Sequence, residues 1–217
     1  MKKHLPLIGK ICAAVLSLGV LLSIAFLPLV QLHVVADVVK VDLDADITVP
    51  WIVRVATQGK TGDTALDGLL KSFKADGMWD KLGDLQGRIV LLVASLSLCV
   101  LLAVAIALLV FLQKQRGLSL LLSSVGLLSA LTAYASASAI VNPIATGKLQ
   151  FGDIIGGLGA LVNGMIDVQK CAIGWAFTEI LLIFLALVIM FGVHVILDYF
   201  RADMDALKKK KKKAAKR

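Results

Sequence analysis

The chain has 217 residues, of which 59% are hydrophobic and only 18% are charged, and its mean hydropathy is +0.89. A soluble domain of this size exposes too much surface to hide so many apolar side chains, whereas a lipid bilayer accommodates them. The formal net charge is +8 at pH 7, with the basic residues spread unevenly along the chain. The composition therefore excludes an ordinary soluble domain and, outside the C-terminal tail, a disordered chain.

Four apolar stretches are long enough to cross a bilayer, which requires about 20 residues of helix. They are residues 11–30, 89–112, 118–144 and 171–197, and only the fourth contains ionisable carboxyl or imidazole groups, those of Glu179 and His194. Backbone polar groups in hydrocarbon must be paired within their own segment, so these stretches predict helices. The predicted fold class is a mainly α membrane protein, a four-helix transmembrane bundle with a small extracellular β-plus-helix layer.

The basic residues predict the orientation of the bundle. They are concentrated at the N-terminus, in the connection between the second and third helices, and in the tail, namely Lys2, Lys3, Lys10, Lys114, Arg116, Arg201, Lys208 to Lys213, Lys216 and Arg217. By the positive-inside rule these three regions are cytoplasmic. The sequence thus predicts a multi-pass plasma-membrane protein with both termini inside the cell. An alternative for its start is a signal peptide cleaved after Val34-Val35-Ala36.

This orientation divides the chain into six segments. They are a first transmembrane helix with its basic cytoplasmic start (1–36), an extracellular β/helix segment (37–88), the second and third transmembrane helices with a short cytoplasmic turn (89–146), an extracellular amphipathic Gly-rich helix (147–170), the fourth transmembrane helix (171–200) and a polybasic cytoplasmic tail (201–217).

The first outer segment begins with a strict alternation of apolar and polar residues over 39–49, which predicts a half-buried strand. Residues 51–55 predict a second short strand, and Asp63 or Thr64 is positioned to cap a short helix. The polar side of the first strand carries three aspartates, Asp42, Asp44 and Asp46. A calcium loop would need a glycine and a distal glutamate that are missing here, so these aspartates predict a solvated face or a charge face that attracts cations or a basic partner.

The second outer segment contains small residues at every fourth position, Gly152, Gly156, Ala160 and Gly164. Small residues at this spacing let a second helix backbone approach closely. One reading is an amphipathic helix that lies on the bundle or at the lipid interface. Another is a surface for self-association or for a partner, and a third is a re-entrant pore element.

Glu179 is a candidate intramembrane polar contact, placed by the predicted helix about 12 Å below its outer end. Such a carboxylate serves as a packing contact, as a contact to a partner protein, or as part of an ion or proton path. Ser136 or Ser138 of the third helix is a candidate partner. The sequence contains no metal-ligand cluster and no nucleotide-binding or hydrolase motif, so it predicts no metal, no cofactor and no enzymatic activity.

The C-terminal residues predict a disordered polybasic tail that contacts anionic lipids of the inner leaflet. The lysines of this contact are Lys208, Lys209, Lys210, Lys211, Lys212 and Lys213. Nucleic acid is not an expected partner, because the lipid surface already accounts for the charge.

Several short strings give the chain a resemblance to the claudin and peripheral-myelin-protein group of four-span membrane proteins. The strings are Pro50-Trp51-Ile52-Val53-Arg54-Val55, Gly68-Leu69-Leu70, Asp84-Leu85-Gln86-Gly87-Arg88, Asn142-Pro143 and Gly174-Trp175-Ala176. The arrangement of spans and outer segments is similar over the whole chain. The paired cysteines of that group's first outer segment are absent: the three cysteines are Cys12, Cys99 and Cys171.

The resemblance implies lateral self-assembly, contact between cells or membranes, and a charge-selective barrier through the acidic strand face. The leading prediction is therefore a non-enzymatic membrane protein that acts through lateral self-assembly and extracellular contacts, as an adhesion, barrier or scaffold protein. Its expected partners are further copies of itself or other membrane proteins. The alternative is an accessory subunit of a transporter or channel complex, and a membrane enzyme is a third class.

Overall fold

The computed structural model describes residues 5–36, 41–52, 84–111, 116–146 and 167–214. In chain order they form helix α1 (Leu5–Phe26), strands β1 (Val30–Ala36) and β2 (Val41–Ile47), helices α2 (Asp84–Phe111) and α3 (Arg116–Ala145), strand β3 (Asp167–Ile173) and helix α4 (Trp175–Ala214). The short helix predicted near Asp63 lies outside these residues.

Four helices of the described part are long and apolar enough to cross a membrane, as the sequence predicted. Their apolar spans are Leu7–Phe26, Leu85–Val110, Gly117–Ala145 and Trp175–Phe200. Two predicted boundaries were wrong. The first helix ends at Phe26 and the fourth begins at Trp175, because the apolar residues beyond them belong to strands β1 and β3.

The helices pack in a ring in which α1 contacts α2, α2 contacts α3, α3 contacts α4 and α4 contacts α1. Buried side chains recur every three or four residues on each helix, which places them on one helical face. On α1 and α4 they are Ala13, Ser17, Val20 and Ile24, and Phe177, Ile180, Phe184, Leu187 and Phe191. The opposite faces expose Ile11, Val15, Leu18 and Leu22 on α1 and Leu182, Ile189, Val193 and Ile196 on α4. Such long apolar outer faces suit a lipid environment.

Helix α3 lets its neighbours approach closely because its inward face carries small residues, which are Ser119, Ser123, Gly126, Ala130, Ala133 and Ala137. The ring of Phe184 on α4 lies where a side chain on Gly126 would be. On the other side of α3, the Ser129 hydroxyl donates a hydrogen bond to the Ser95 carbonyl of α2 at 2.9 Å. Small residues and interhelical hydrogen bonds of this kind hold helices together where the hydrophobic effect cannot.

The three strands form one antiparallel sheet with β1 in the middle, between β2 and β3. The sheet therefore joins the segment that follows α1 to the segment that precedes α4. Strand β2 confirms the strand predicted from the alternation of residues 39–49. Strands β1 and β3 were not predicted: β1 was assigned to the first span and its exit, and β3 to the end of an amphipathic helix and the start of the fourth span.

Backbone hydrogen bonds connect the sheet directly to the ends of α1 and α4. Leu29 N donates to Ile47 O and Gly174 N donates to Leu29 O, both at 2.8 Å, and Ala176 N donates to Pro28 O at 3.3 Å. A side chain on Gly174 would overlap the backbone of Pro28 and Leu29. The exit from α1 and the entry into α4 are thus in direct backbone contact, and the sheet is fixed to this pair of helices.

Two further predictions about local structure were wrong. Residues 51 and 52, predicted as the start of a strand, are helical. Thr48 is the N-cap of this helical turn: its Oγ1 accepts a hydrogen bond from Trp51 N at 3.3 Å, and its carbonyl oxygen accepts one from Ile52 N at 3.0 Å. The tail is helical through Ala214 rather than disordered, since α4 continues without a break past Phe200. Lysines near a helix C-terminus are favoured by the helix dipole, which offsets part of their mutual repulsion.

Candidate functional site: the α1–α4 seam and the sheet

Helices α1 and α4 run antiparallel and contact each other along most of their apolar length. Near one end, a Cβ on Gly9 would lie 3.3 Å from His194 Nε2, and farther along, a Cβ on Gly19 would lie 3.2 Å from Ile183 Cδ1. At the sheet end, Ser23 contacts Glu179, one turn before the backbone bond between Pro28 and Ala176. From one contact to the next, the residue number rises on α1 by about as much as it falls on α4. The two antiparallel helices therefore keep the same register along their contact.

Glu179 lies on this seam, and its side chain is exposed. Because α4 begins at Trp175, Glu179 is only four residues into the helix. It therefore lies ~6 Å along the helix axis from the start of α4, whereas the sequence predicted about 12 Å. Its partner is also different from the predicted serines of the third helix: Ser23 Oγ of α1 lies 3.0 Å from Glu179 Oε2. Glu179 is therefore an edge residue of the seam and does not point into the interior of the bundle.

The hydroxyl of Ser23 has two acceptors within reach. Its oxygen lies 2.9 Å from the Gly19 carbonyl oxygen and 3.0 Å from Glu179 Oε2, yet a serine hydroxyl carries only one hydrogen. With an ionised carboxylate the two contacts share that hydrogen. With an amide at residue 179, the side chain donates to Ser23 and Ser23 donates to Gly19, and each contact has its own hydrogen.

The three aspartates of the sheet lie on β2 at alternating positions of the ladder. Asp46 is paired with Gln31, Asp44 with His33 and Asp42 with Val35, and Gln31 Nε2 donates a hydrogen bond to Asp46 Oδ1 at 3.3 Å. On the other side of β1, His33 is paired with Lys170 of β3. One row across the sheet therefore contains an aspartate, a histidine and a lysine, which is a charge pattern and not a metal site. No group of three potential metal ligands occurs in the described part of the chain.

The other face of the ladder is apolar and continues into the bundle. Its rows join Val30 to Ile47 and Ile173, and Leu32 to Ala45 and Cys171. Ile173 packs against a cluster formed by Leu29, Ala133, Ala137, Ala176 and Phe177, at the sheet end of the helices. Burial raises the pKa of the Cys171 thiol, which keeps it protonated and unreactive at neutral pH. The three cysteines are free.

The remaining predicted site residues are not brought together with this region. Gly152, Gly156, Ala160 and Gly164 lie outside the described residues. The lysines from Lys208 to Lys213 are on the helical extension of α4, far along the chain from the sheet end.

The sequence reasoning missed three residues on which the packing of α4 depends, Ser23, Gly126 and Gly174. A lone serine or glycine inside an apolar run has no distinctive pattern. Only Gly174, between a strand and the tryptophan that starts α4, stood in a string already singled out by the claudin resemblance.

Comparison of the chain with protein-family models, with curated proteins and with solved structures finds no match. The functional interpretation consequently depends on the fold and on the chemistry of the residues described above.

Proposed function

We propose that this chain is an integral membrane protein that crosses the plasma membrane four times and acts without catalysis, through contacts of its sheet and of its helices. The observation that carries the proposal is the backbone bonding between the sheet and the ends of α1 and α4. A sheet attached in this way presents a surface of constant orientation at one end of the bundle, as a protein that works by contact requires.

The positive-inside rule supports an orientation with the sheet outside the cell. Among the described residues, most of the basic side chains near the ends of the four helices belong to the end of the bundle opposite the sheet. They are Lys10, Arg116 and the lysine-rich end of α4. Arg88, near the start of α2, and Lys170 of strand β3 are the exceptions at the sheet end.

The row of aspartates on β2 supports contact with a basic partner or with cations. Alternating charges on one side of a strand create a negative field that attracts positive surfaces and raises the rate of encounter with them. Ile173 of the sheet packs toward the bundle, whereas the side chain of Asp46 is exposed and available for contact. A claudin-like adhesion, barrier or scaffold function follows from such a surface when neighbouring copies also associate laterally.

Lateral association is proposed for residues 152–164, where small residues recur every fourth position. The test is chemical cross-linking of the protein reconstituted in vesicles, comparing wild type with Gly156→Leu and Gly164→Leu. Under the proposal both variants lose the oligomer ladder. Gly87→Leu is the matched control, because a Cβ at Gly87 meets no atom within 4 Å. An unchanged ladder in both Gly156→Leu and Gly164→Leu would remove lateral assembly through this segment.

The sheet contact is tested separately, by aggregation of vesicles that carry the protein. Asp42→Asn, Asp44→Asn and Asp46→Asn together remove the negative field with little change in side-chain size. We expect aggregation to fall, and to become less sensitive to salt, because screening acts on charge. Aggregation that is equal for wild type and the triple variant would count against the aspartates as a contact surface.

A second candidate, an accessory subunit of a transporter or channel complex, is favoured by the exposure of Glu179 on the outer side of the seam. A carboxylate placed there is available to a neighbouring membrane protein. Glu179→Gln distinguishes the outcomes: loss of a co-purified partner supports the subunit, and loss of ion flux with the partner retained supports transport. No effect on either would leave the first proposal as the better account.

A further inference from the structure

At the sheet end of the α1–α4 seam, a carboxylate lies within one helical turn of an exposed aromatic residue on each helix. Trp175, four residues before Glu179 on α4, is 66% exposed, and Phe26, three residues after Ser23 on α1, is 71% exposed. Residues three or four positions apart lie on the same face of a helix. Since Ser23 contacts Glu179 directly, both rings flank the same contact.

The directions of the side chains bring these groups closer still. Side chains of an α-helix lean toward its N-terminus. Glu179 therefore leans toward the turn that carries Trp175, and Phe26, on an antiparallel helix, leans back toward the turn that carries Ser23. The carboxylate and the Phe26 ring converge from opposite directions on the outer surface of the seam.

The depth of this cluster matches the border between hydrocarbon and headgroups. The apolar span of α4 has 26 residues, or ~39 Å of helix, whereas the hydrocarbon layer is ~30 Å thick. If the excess is shared between both ends, the layer begins ~4–5 Å below Trp175. Glu179, ~6 Å below Trp175 and leaning outward, places its carboxylate at that border.

The position requires a positively charged neighbour or water. The contact that the described residues give to Glu179 is the uncharged Ser23 hydroxyl. Carboxylates and aromatic rings are together the chemistry that recognises an alkylammonium ion, by charge and by cation–π attraction. The groups of this class that every copy meets at this depth are the headgroups of surrounding phospholipids.

We infer that Glu179, held by Ser23 and flanked by Trp175 and Phe26, binds the ammonium headgroup of a phosphatidylcholine or phosphatidylethanolamine molecule at the sheet end of the α1–α4 seam. The inference rests on the proposed insertion of the four helices in a membrane and is independent of self-assembly. It gives the exposed carboxylate a function within a single copy: a lipid bound across the seam joins α1 to α4 just below the attached sheet.

The test is native mass spectrometry of the full-length protein in detergent, titrated with short-chain phosphatidylcholine, phosphatidylethanolamine or phosphatidylglycerol that share the same acyl chains. Phosphatidylglycerol retains the phosphate and lacks the ammonium group. We expect Glu179→Gln to weaken binding of the two ammonium lipids about fivefold, the loss of one exposed charge pair. Binding of phosphatidylglycerol, which the lysine-rich tail also attracts, should not weaken.

Two controls keep the outcomes distinct. Glu179→Gln retains a side-chain oxygen that can accept from the Ser23 hydroxyl, so the seam stays intact, and Asp198→Asn makes the same change of charge at the other end of the span. Trp175→Leu should reduce binding of the ammonium lipids about threefold with the charge retained. Equal headgroup selectivity in wild type and Glu179→Gln would overturn the inference. So would a carbodiimide cross-link from Glu179 to a lysine of a second copy, which would identify a protein as the occupant.

Failure of this test is distinguishable from failure of the proposed function. A protein that does not enter detergent micelles or bilayers at all refutes membrane insertion. A protein that inserts and shows no headgroup selectivity refutes only the lipid site.

Discussion

The ring of Phe184 on α4 occupies the space that a Cβ of Gly126 on α3 would fill. Phe184 is fully buried, at the level where Cys99 of α2 also faces Gly126 O at 3.9 Å. Three of the four helices therefore meet at a glycine, and their separation depends on the absence of a side chain there.

Gly126→Ala should destabilise the bundle, because a methyl group at this position collides with a ring that has no free space to enter. Overpacking of this kind costs about 1–3 kcal/mol, which should appear as a lower thermal midpoint in detergent. Gly192→Ala on α4 is the control, since nothing lies within 4 Å of its Cβ position. Adding Phe184→Leu should recover part of the loss, whereas a double variant no better than the sum of the two single ones would contradict direct contact.

Gly174→Ala should be more damaging than Gly126→Ala. The atoms that a Cβ of Gly174 would meet belong to the backbone of Pro28 and Leu29, and a backbone cannot change rotamer to make room. We expect the Gly174 N to Leu29 O bond to break and the sheet to separate from the helix ends. Hydrogen exchange of β1 and β3 measures this; protection equal to wild type would show that the junction tolerates a side chain.

Ser23→Ala and Glu179→Gln should have different effects on the seam. The alanine removes the hydroxyl from both of its contacts, and the thermal midpoint should fall slightly, as expected for one partly exposed hydrogen bond. Glutamine donates through its amide to Ser23, so the midpoint should remain within error of wild type. A large loss for Glu179→Gln would mean that the negative charge itself holds α1 and α4 together.

The Cys171 thiol provides a prediction about pH. Since burial raises its pKa, the reactive thiolate is scarce at pH 7, and it increases about tenfold for each pH unit up to the pKa. In a background with Cys12→Ala and Cys99→Ala, alkylation by a water-soluble iodoacetamide should therefore still rise between pH 9 and pH 10, where an ordinary thiol of pKa about 8.5 levels off. Levelling off between pH 9 and pH 10 would indicate an ordinary solvated thiol and would contradict its partial burial.

The continuous helix α4 makes a prediction about the lysine-rich tail. If it stays straight beyond Phe200, Lys208 lies ~12 Å and Lys213 ~20 Å past the end of the span, farther than the ~8 Å over which salt screens charge. Lipid contact then requires a bend. In nanodiscs with anionic lipid, energy transfer from a dye on Ala215→Cys to a lipid dye should increase in Asp203→Pro, because proline interrupts the helix. Equal, salt-sensitive transfer in wild type would show that the tail already lies on the surface.

The four spans were predictable because length and hydropathy alone define them, and strand β2 because its alternation is unbroken. The boundaries of the first and fourth spans were not, since Leu27 to Val30 and Cys171 to Ile173 are uncharged and apolar, like the helices that they adjoin. Strand β1 is recognisable only from its two neighbours, which are distant in sequence.

Strand β3 was hidden for a different reason. Its register against β1 shifts between His33 and Val34, where Lys170 and Val168 are the paired residues and Gln169 is extra. A bulge of this kind interrupts the period of two that identifies a strand in a sequence. Residues 167–170 then fit the helical pattern that precedes them, which is why they were assigned to the amphipathic helix.

Of the candidate site, the sequence identified Glu179 but not its surroundings. An acidic residue in an apolar run is conspicuous, whereas Ser23 and Phe26 are ordinary in a membrane helix. Their proximity follows from the antiparallel register of α1 and α4, which depends on the glycines at 9, 19 and 174 and cannot be read from any one segment.

The central claim is that the sheet lies outside the cell and both termini inside. The test uses intact cells that express a variant of the chain with a C-terminal epitope and with Cys171 as its sole cysteine. The cells are treated at pH 9 with a membrane-impermeant maleimide, and separately with an antibody against the epitope. The account predicts labelling of Cys171 and an epitope that antibody reaches only after permeabilisation. Antibody binding to intact cells, with Cys171 labelled only after permeabilisation, would contradict it.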